Sequence, residues 1–359
     1  MSPVVDDALE AMPPLYRPWV RAVLEGPVPR ERRATCDECP MVRAEPPAVG
    51  FRADTRCCTF HPELPNFLVG AFFRELRPEL LPGRRLLEAK IRARVGVTPL
   101  GIDRPPVYAL TFRHGRAAFG SAQALRCPYY LEGERHSCGV WHAREATCAT
   151  WFCKHERGRV GRAFWEALRH FLQAVDRDLA RACVVELGLP SAQLAALAEA
   201  PAPGVGLEAG ELDGRVDPAR WDALWGEHKF GEHRFFAACH ELVEGLGWEG
   251  VEARLGGDAR LRRAVLRDAY GRLVDKAVPE AVEPAPVQLV KLGRKAAVVQ
   301  GYSPFDLLEL PRPLFDLLGE LEGATPERAL AVAEEAGVEL DRRALRALVD
   351  FGLLRPVEG

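Results

Sequence analysis

Eight of the ten cysteines fall within the first 153 residues, and their spacing is the strongest chemical signal in the chain. Cys36 and Cys39, in CDECP, form a C-x2-C pair in which two intervening residues let one tight turn aim both sulfurs at a single ion. Pro40 helps fix the exit from that turn. Seventeen residues on, Cys57 and Cys58 are adjacent. On an extended backbone neighbouring side chains diverge, so one of the two is expected to ligate while the other packs or serves a second centre. The closing group, Cys127, Cys138, Cys148 and Cys153, runs through CPYYLEGERHSCGVWHAREATCATWFCKH. Its spacing is looser than that of a zinc finger, with no second C-x2-C and no paired histidines behind it. Three chemistries are open to such a set: a disulfide scaffold, a metal site, or a reactive thiol centre.

Compartment separates the first from the other two. The N-terminus carries Asp6, Asp7 and Glu10 where an export signal would carry positive charge and then an apolar run. No later stretch reaches the roughly 18 uncharged apolar residues of a membrane span. A cytoplasmic protein is expected, with no membrane partner, and there a regular cysteine set is more often a metal site than a disulfide framework. A nucleophile needs one or two thiols and a base, which leaves six cysteines without a purpose. Among nearby histidines, His61, His136, His142 and His155 are candidates to replace a thiolate, although a hydrogen-bonded histidine is the commoner outcome. Arg144 and Lys154 could instead lower thiol pKa values by their charge. Cys183 lies on the apolar helical face of Phe164, Leu168, Phe171, Leu172, Val175 and Leu179 and is expected to pack as a small hydrophobe; Cys239 is read the same way.

The closing group resembles a known pattern. Cys127-Pro128-Tyr129-Tyr130-Leu131, then Cys138-Gly139-Val140-Trp141-His142-Ala143-Arg144, then Cys148-Ala149-Thr150-Trp151-Phe152-Cys153 is similar to the second half of the CxxCxxCC-type cysteine-cluster family of zinc- or iron-chelating proteins, to which flagellin lysine N-methylases are related. The resemblance spans roughly residues 30 to 160. Glu145 stands where that family has proline, and the compact CxxCxxCC is stretched between Cys39 and Cys57. The resemblance implies metal binding rather than any one reaction.

An all-thiolate set suits both zinc and iron–sulfur clusters, and eight cysteines allow two four-ligand centres or one centre with spectators. The resemblance, with the absence of finger-like spacing, favours a [4Fe–4S]-type cluster over zinc. Trp141, Trp151 and Phe152 are placed to shield it from solvent.

The elements that must position these residues divide the chain into three segments. Residues 1–157 read as a loop-rich cysteine metal-binding domain, 158–277 as a helical domain bracing it, and 285–359 as a small winged-helix-like α+β domain, in a mainly α protein overall. Proline and glycine concentrate at 199–210 and 278–286, the expected linkers. Apolar periodicity predicts helices over 160–187, 218–246 and the run from Gly257, with Ser191 opening another. GVGLEAG at 204–210 lies in a linker with no strand before it, and so is a poor nucleotide or S-adenosylmethionine loop. Glu227, His228, Glu232, His233 and His240 lack a metal-binding spacing and read as a polar face flanking a core of Trp221, Trp225, Phe235 and Phe236.

The last 75 residues begin with a hairpin turning near Gly293. Helices follow, capped by Thr325 with Pro326 and Gly337, and by Asp341; Leu353 and Leu354 are expected to return to the hairpin as its third strand. This pattern resembles PqqD-like peptide-binding winged helices and implies docking of a protein or peptide substrate. Arg342, Arg343 and Arg346 raise a DNA-binding alternative. Glu334, Glu335, Glu339 and Asp350 offset their charge, and the chain ends without a second wing, so DNA ranks behind peptide.

Overall fold

Apolar residues recur every three or four positions through most of the chain, and the backbone accordingly is mainly helical with small antiparallel sheets. The computed structural model describes residues 7–34, 39–42, 50–74, 77–132, 137–198 and 212–357. The 199–210 linker lies outside them. No helix among the described residues is long and apolar enough to cross a membrane.

Two units form, each assembled from three separated stretches: Met1–Pro29, Gly50–Thr150 and Arg169–Arg263 in the first, Arg30–Val49, Trp151–Leu168 and Ala264–Gly359 in the second. In chain order the helices are α1 (Tyr16–Val23), α2 (Asn66–Arg74), α3 (Leu81–Ala93), α4 (Pro106–His114), α5 (Ala146–Thr150), α6 (Gly158–Glu186), α7 (Ser191–Ala198), α8 (Pro218–Trp225), α9 (Glu232–Glu244), α10 (Trp248–Arg254), α11 (Gly257–Val274), α12 (Arg312–Leu317), α13 (Pro326–Glu335) and α14 (Arg342–Asp350). The strands are β1 (Leu64–Pro65), β2 (Val97–Thr98), β3 (Gly101–Ile102), β4 (Tyr130–Leu131), β5 (Ser137–Cys138), β6 (Val282–Pro284), β7 (Gln288–Leu292), β8 (Ala296–Gln300), β9 (Leu307–Pro311) and β10 (Leu354–Pro356).

In the first unit α2 and α9 pack at very close range. A Cβ added to Gly70 would lie 1.9 Å from the Phe236 carbonyl oxygen, so only glycine permits this approach. Asn66, fully buried at the start of α2, donates through its amide to the carbonyls of Pro99 and Ala180, both at 3.0 Å, fastening α6 to the turn between β2 and β3. Tyr16 of α1 donates to Asp176 of α6 at 2.7 Å, with both side chains buried. The predicted face of α6 is apolar throughout: Phe164, Leu168, Phe171, Leu172, Val175, Leu179 and Cys183 are all solvent-inaccessible. Trp221, Trp225, Phe235 and Phe236 form the aromatic core expected between α8 and α9.

The second unit contains the C-terminal sheets and helices. β7 and β8 form the predicted hairpin, turning at Gly293–Lys295, and β9 completes an antiparallel sheet in the order β7-β8-β9. The third strand of the hairpin is therefore 307–311, not the Leu353–Leu354 segment. That segment enters β10, which pairs with β6. The 278–286 stretch is correspondingly not only a linker: Val282 is fully buried in a core with Val299, Leu321, Leu345 and Leu354. The prolines that punctuate it are tolerated because β6 is a short strand, paired with β10 and bridged at Val282 to Ala324. Thr325 and Asp341 cap α13 and α14 through their side chains as expected, and Gly337 takes a positive φ of 67° beyond α13.

Polar clamps hold the remaining stretches of this unit. Glu31 accepts from the Trp165 indole N–H at 2.7 Å and from the Glu156 amide, and burial raises its pKa to about 7. Asp306, fully buried, receives Arg33 at 2.8 Å and the Tyr302 hydroxyl at 2.5 Å, with Lys154 at 3.6 Å. Arg157 makes a two-pronged pair with Asp350, at 2.6 and 3.0 Å.

Candidate metal centre

Three contacts join the cysteine-bearing stretches of the first unit. The run from Ala53 to Thr59 is a series of turns. Thr55 and Thr59 grip the peptide of Gly120 from both sides: the Thr55 hydroxyl donates to its carbonyl and the Thr59 hydroxyl accepts from its N–H, each at 2.7 Å. The Cys127 amide then donates to the Cys58 carbonyl at 2.7 Å, although 68 residues lie between them. Finally, β4 and β5 pair so that Cys138 faces Tyr130, while the Gly139 amide donates to the Tyr129 carbonyl at 2.7 Å.

Cys148 is placed by α5, whose N-terminus is capped by Glu145. One carboxylate oxygen accepts from the Thr147 amide at 2.6 Å and the other from Cys148 at 2.9 Å. The residue that departs from the family pattern therefore has a local role, satisfying amide donors that no helical carbonyl reaches. Arg144, buried beneath the Trp141 ring at 3.7 Å, donates to the carbonyls of Trp141, Cys148 and Ala11. It pins the loop.

Burial and the charges of neighbouring thiols both raise the cysteine pKa values in these stretches. The Cys57 thiol is held well above the usual range by a hydrogen bond to Cys58, then by burial and the charge of Cys58. The turn thus brings the adjacent pair together, where an extended backbone was expected to part them. Cys127 is pushed up to about 12 by burial and by the charges of Cys138 and Cys57, with Lys90 opposing. Cys148 is raised by burial, by Glu145, and by Cys127 and Cys138. Arg144 is spent on carbonyls, and these thiols are raised rather than lowered, which does not suit a nucleophilic thiolate. Among the described residues no disulfide is formed.

The other sequence candidates fall elsewhere. Cys36 and His136 lie outside the described residues. Cys39 and Cys153 belong to the second unit: Cys39 is half-buried and opens a turn closed by the Val42 amide, and Cys153 is buried beside Phe152, which packs on Trp165 at 4.7 Å. Trp151 packs on Phe305 in the same unit, whereas Trp141 is 42% exposed and covers Arg144. Lys154 pairs with Asp306. His142 is exposed, and His155 is buried with its backbone N–H on the Tyr302 hydroxyl. Cys183 and Cys239 are fully buried partners of each other, the Cys183 sulfur lying 3.8 Å from the Cys239 carbonyl.

Sequence reading passed over Lys90. On α3 it shares one face with Gly83 and Leu87, and a Cβ on Gly83 would sit 2.1 Å from the Gly139 carbonyl, so this face is pressed against the Cys138 turn. Lys90 contacts the His61 Nε2 at 3.1 Å, and His61 Nδ1 faces the Pro62 carbonyl at 2.9 Å. In the sequence it is one of four cations on this helix, with Arg84, Arg85 and Arg92, and nothing sets it apart from them.

As the side chains stand, no three of His, Cys, Asp or Glu among the described residues are grouped to hold one ion. The donor set is right in kind, since Cys57, Cys58, Cys127, Cys138 and Cys148 are soft ligands sharing one neighbourhood. No family model, no curated protein and no solved structure matches the chain.

Proposed function

We propose that this is a metal-binding protein in which Cys57, Cys58, Cys127, Cys138 and Cys148 supply the thiolates of an iron–sulfur cluster of the [4Fe–4S] type, zinc being the alternative that the same donors accept. The observation that supports this reading is the backbone joining of the cysteine-bearing stretches: the Cys127 amide bonds the Cys58 carbonyl at 2.7 Å, and the strand that follows Cys127 pairs with the one that ends in Cys138. Cys36, Cys39 and Cys153 remain ligand candidates on their spacing alone.

The protein is further proposed to act in modification of a protein or peptide, with 285–359 docking the substrate. Supporting this, β7 is an edge strand exposed along its whole length, with Leu289, Val290 and Leu292 between 44% and 49% accessible. An open strand edge with apolar side chains is suited to accepting an extended segment. DNA is disfavoured because Arg342 pairs with Glu327 and Arg346 with Asp350.

The composition of the centre is tested by purifying the full chain without oxygen and assaying metal and acid-labile sulfide. Iron with a matching amount of sulfide, and broad absorbance near about 400 nm, are expected. A colourless protein with stoichiometric zinc would replace the cluster by a zinc–thiolate site.

A further inference from the structure

Just before α9 the chain holds a residue in a backbone conformation that its side chain disfavours. Phe230 takes a positive φ of 69°, and the residue is 77% exposed. Bulky residues rarely adopt left-handed backbone, and a ring left in water gains nothing from burial, so packing does not account for this position. The turn is nevertheless well fastened. The Phe230 amide donates to the buried Glu232 carboxylate at 3.0 Å, and the Gly231 amide donates to the His228 carbonyl at 2.8 Å. Lys229, whose ammonium lies 5.3 Å from the centre of the Phe230 ring, pairs with Asp222 at 2.6 Å.

His228 and Gly231, which bracket Lys229 and Phe230, line a pocket of about 340 Å³ within the first unit. Its apolar wall is Leu187, Phe235 and Ala238, with the His228 ring packed on Phe235 at 5.1 Å between centres. Its charged groups are Glu227 and Arg234, of opposite sign. Neither side chain makes an ion pair or hydrogen bond among the described residues, although the neighbouring Lys229 and Asp222 do pair. The Arg234 guanidinium turns back over Gly231, where an added Cβ would lie 3.4 Å from its Nη2.

Size and charge narrow the occupant. Small-molecule pockets run from about 300 to 1,000 Å³, so this one, at the small end, suits a ligand of amino-acid size rather than a nucleotide. A simple anion would be repelled by Glu227 and a simple cation by Arg234. A molecule carrying both charges and an apolar group matches every wall. We propose that the pocket binds a free α-amino acid with an aliphatic or aromatic side chain: Glu227 receives the ammonium, Arg234 the carboxylate, and the side chain lies against Leu187, Phe235 and Ala238, with the Phe230 ring covering it from the rim. The site shares no residue with the thiols and stands apart from the metal-binding reading.

The test is calorimetric titration of the full chain with L-leucine, L-phenylalanine, isoamylamine and 4-methylpentanoate, the last two being leucine without its carboxylate and leucine without its ammonium. At least one of the two amino acids should bind, and the one-charge analogues of leucine should bind about tenfold more weakly than leucine, the factor expected for losing a hydrogen-bonded charge. Glu227→Gln and Arg234→Gln should each weaken amino-acid binding by a similar factor. Because each removes one recognised charge, Glu227→Gln should not weaken 4-methylpentanoate further, nor Arg234→Gln isoamylamine. Phe230→Gly suits the backbone, so it should fold as the parent does and bind the amino acid about fivefold more weakly. No binding of either amino acid at millimolar concentration would overturn the proposal. A one-charge analogue binding as tightly as leucine would overturn the two-charge recognition, parent-like affinity in both Glu227→Gln and Arg234→Gln would move binding away from this pocket, and parent-like affinity in Phe230→Gly would overturn the covering role of the ring.

Discussion

Cys127→Ser and Cys148→Ser will each strip metal from the purified chain and lower its melting temperature in the same step, whereas Cys239→Ala will leave the metal in place. Cys127 and Cys148 are bound into the thiol neighbourhood by the Cys58 carbonyl and the Glu145 cap, and serine offers a hard oxygen where a soft sulfur is needed. Ligand thiolates are shared between binding and folding, so the free energy lost from one is lost from the other. The effect on affinity should exceed the 10–100-fold typical of outer partners, and stability should fall by several kcal/mol. Cys239 is as buried as any residue in the chain, but its partner is Cys183. Its replacement should cost about 1 kcal/mol of packing with no loss of metal. Elemental analysis beside thermal melts, with and without chelator, reads both quantities. Full metal content in the two serine variants would exclude these sulfurs as ligands.

Asp350→Ala is expected to be the most damaging single change in the second unit. Asp350 is 4% exposed and receives both prongs of Arg157 as well as Arg346 at 2.9 Å. Removing the carboxylate leaves two guanidinium groups partly buried without their counter-charge, a loss of about 3–5 kcal/mol. Arg157 also donates to the carbonyls of Leu273 and Asp275, so those bonds should persist and limit the damage locally. Denaturant melts provide the measurement, with Asp350→Asn as the milder control that keeps one acceptor. A loss below about 1 kcal/mol in Asp350→Ala would show that the pair is no stronger than a surface ion pair.

What could be read from the sequence was local. Thr325, Pro326, Gly337 and Asp341 announce α13 and α14 because a cap is decided by residues within one turn of the helix end. The β7–β8 hairpin is equally local. The partner of a later strand is not, and nothing near Leu353 distinguishes pairing with β6 from pairing with the hairpin. Similarly, proline in 278–286 reads as a linker until β10 supplies the strand that pairs with it. Each unit joins three distant stretches, and such assembly leaves no trace in local composition.

The thiol site divides along the same line. Motif spacing picked out Cys127, Cys138 and Cys148, but the partners that place and surround them come from elsewhere in the chain. Gly120 fixes the Cys57–Cys58 turn through two threonines, and Lys90 meets His61 from a helix whose charges look like an ordinary wet surface. Glu145 was legible only as a departure from a family pattern, whereas its hydrogen bonds make it the cap of α5.

Absorption spectroscopy at the metal K-edge of the anaerobically purified full chain tests the central claim most directly, because it reports which atoms touch the metal whatever that metal is. A first shell of sulfur at about 2.3 Å is the predicted result, matching ligation by clustered thiolates. A shell made only of nitrogen and oxygen, at about 2.0–2.2 Å, would contradict it.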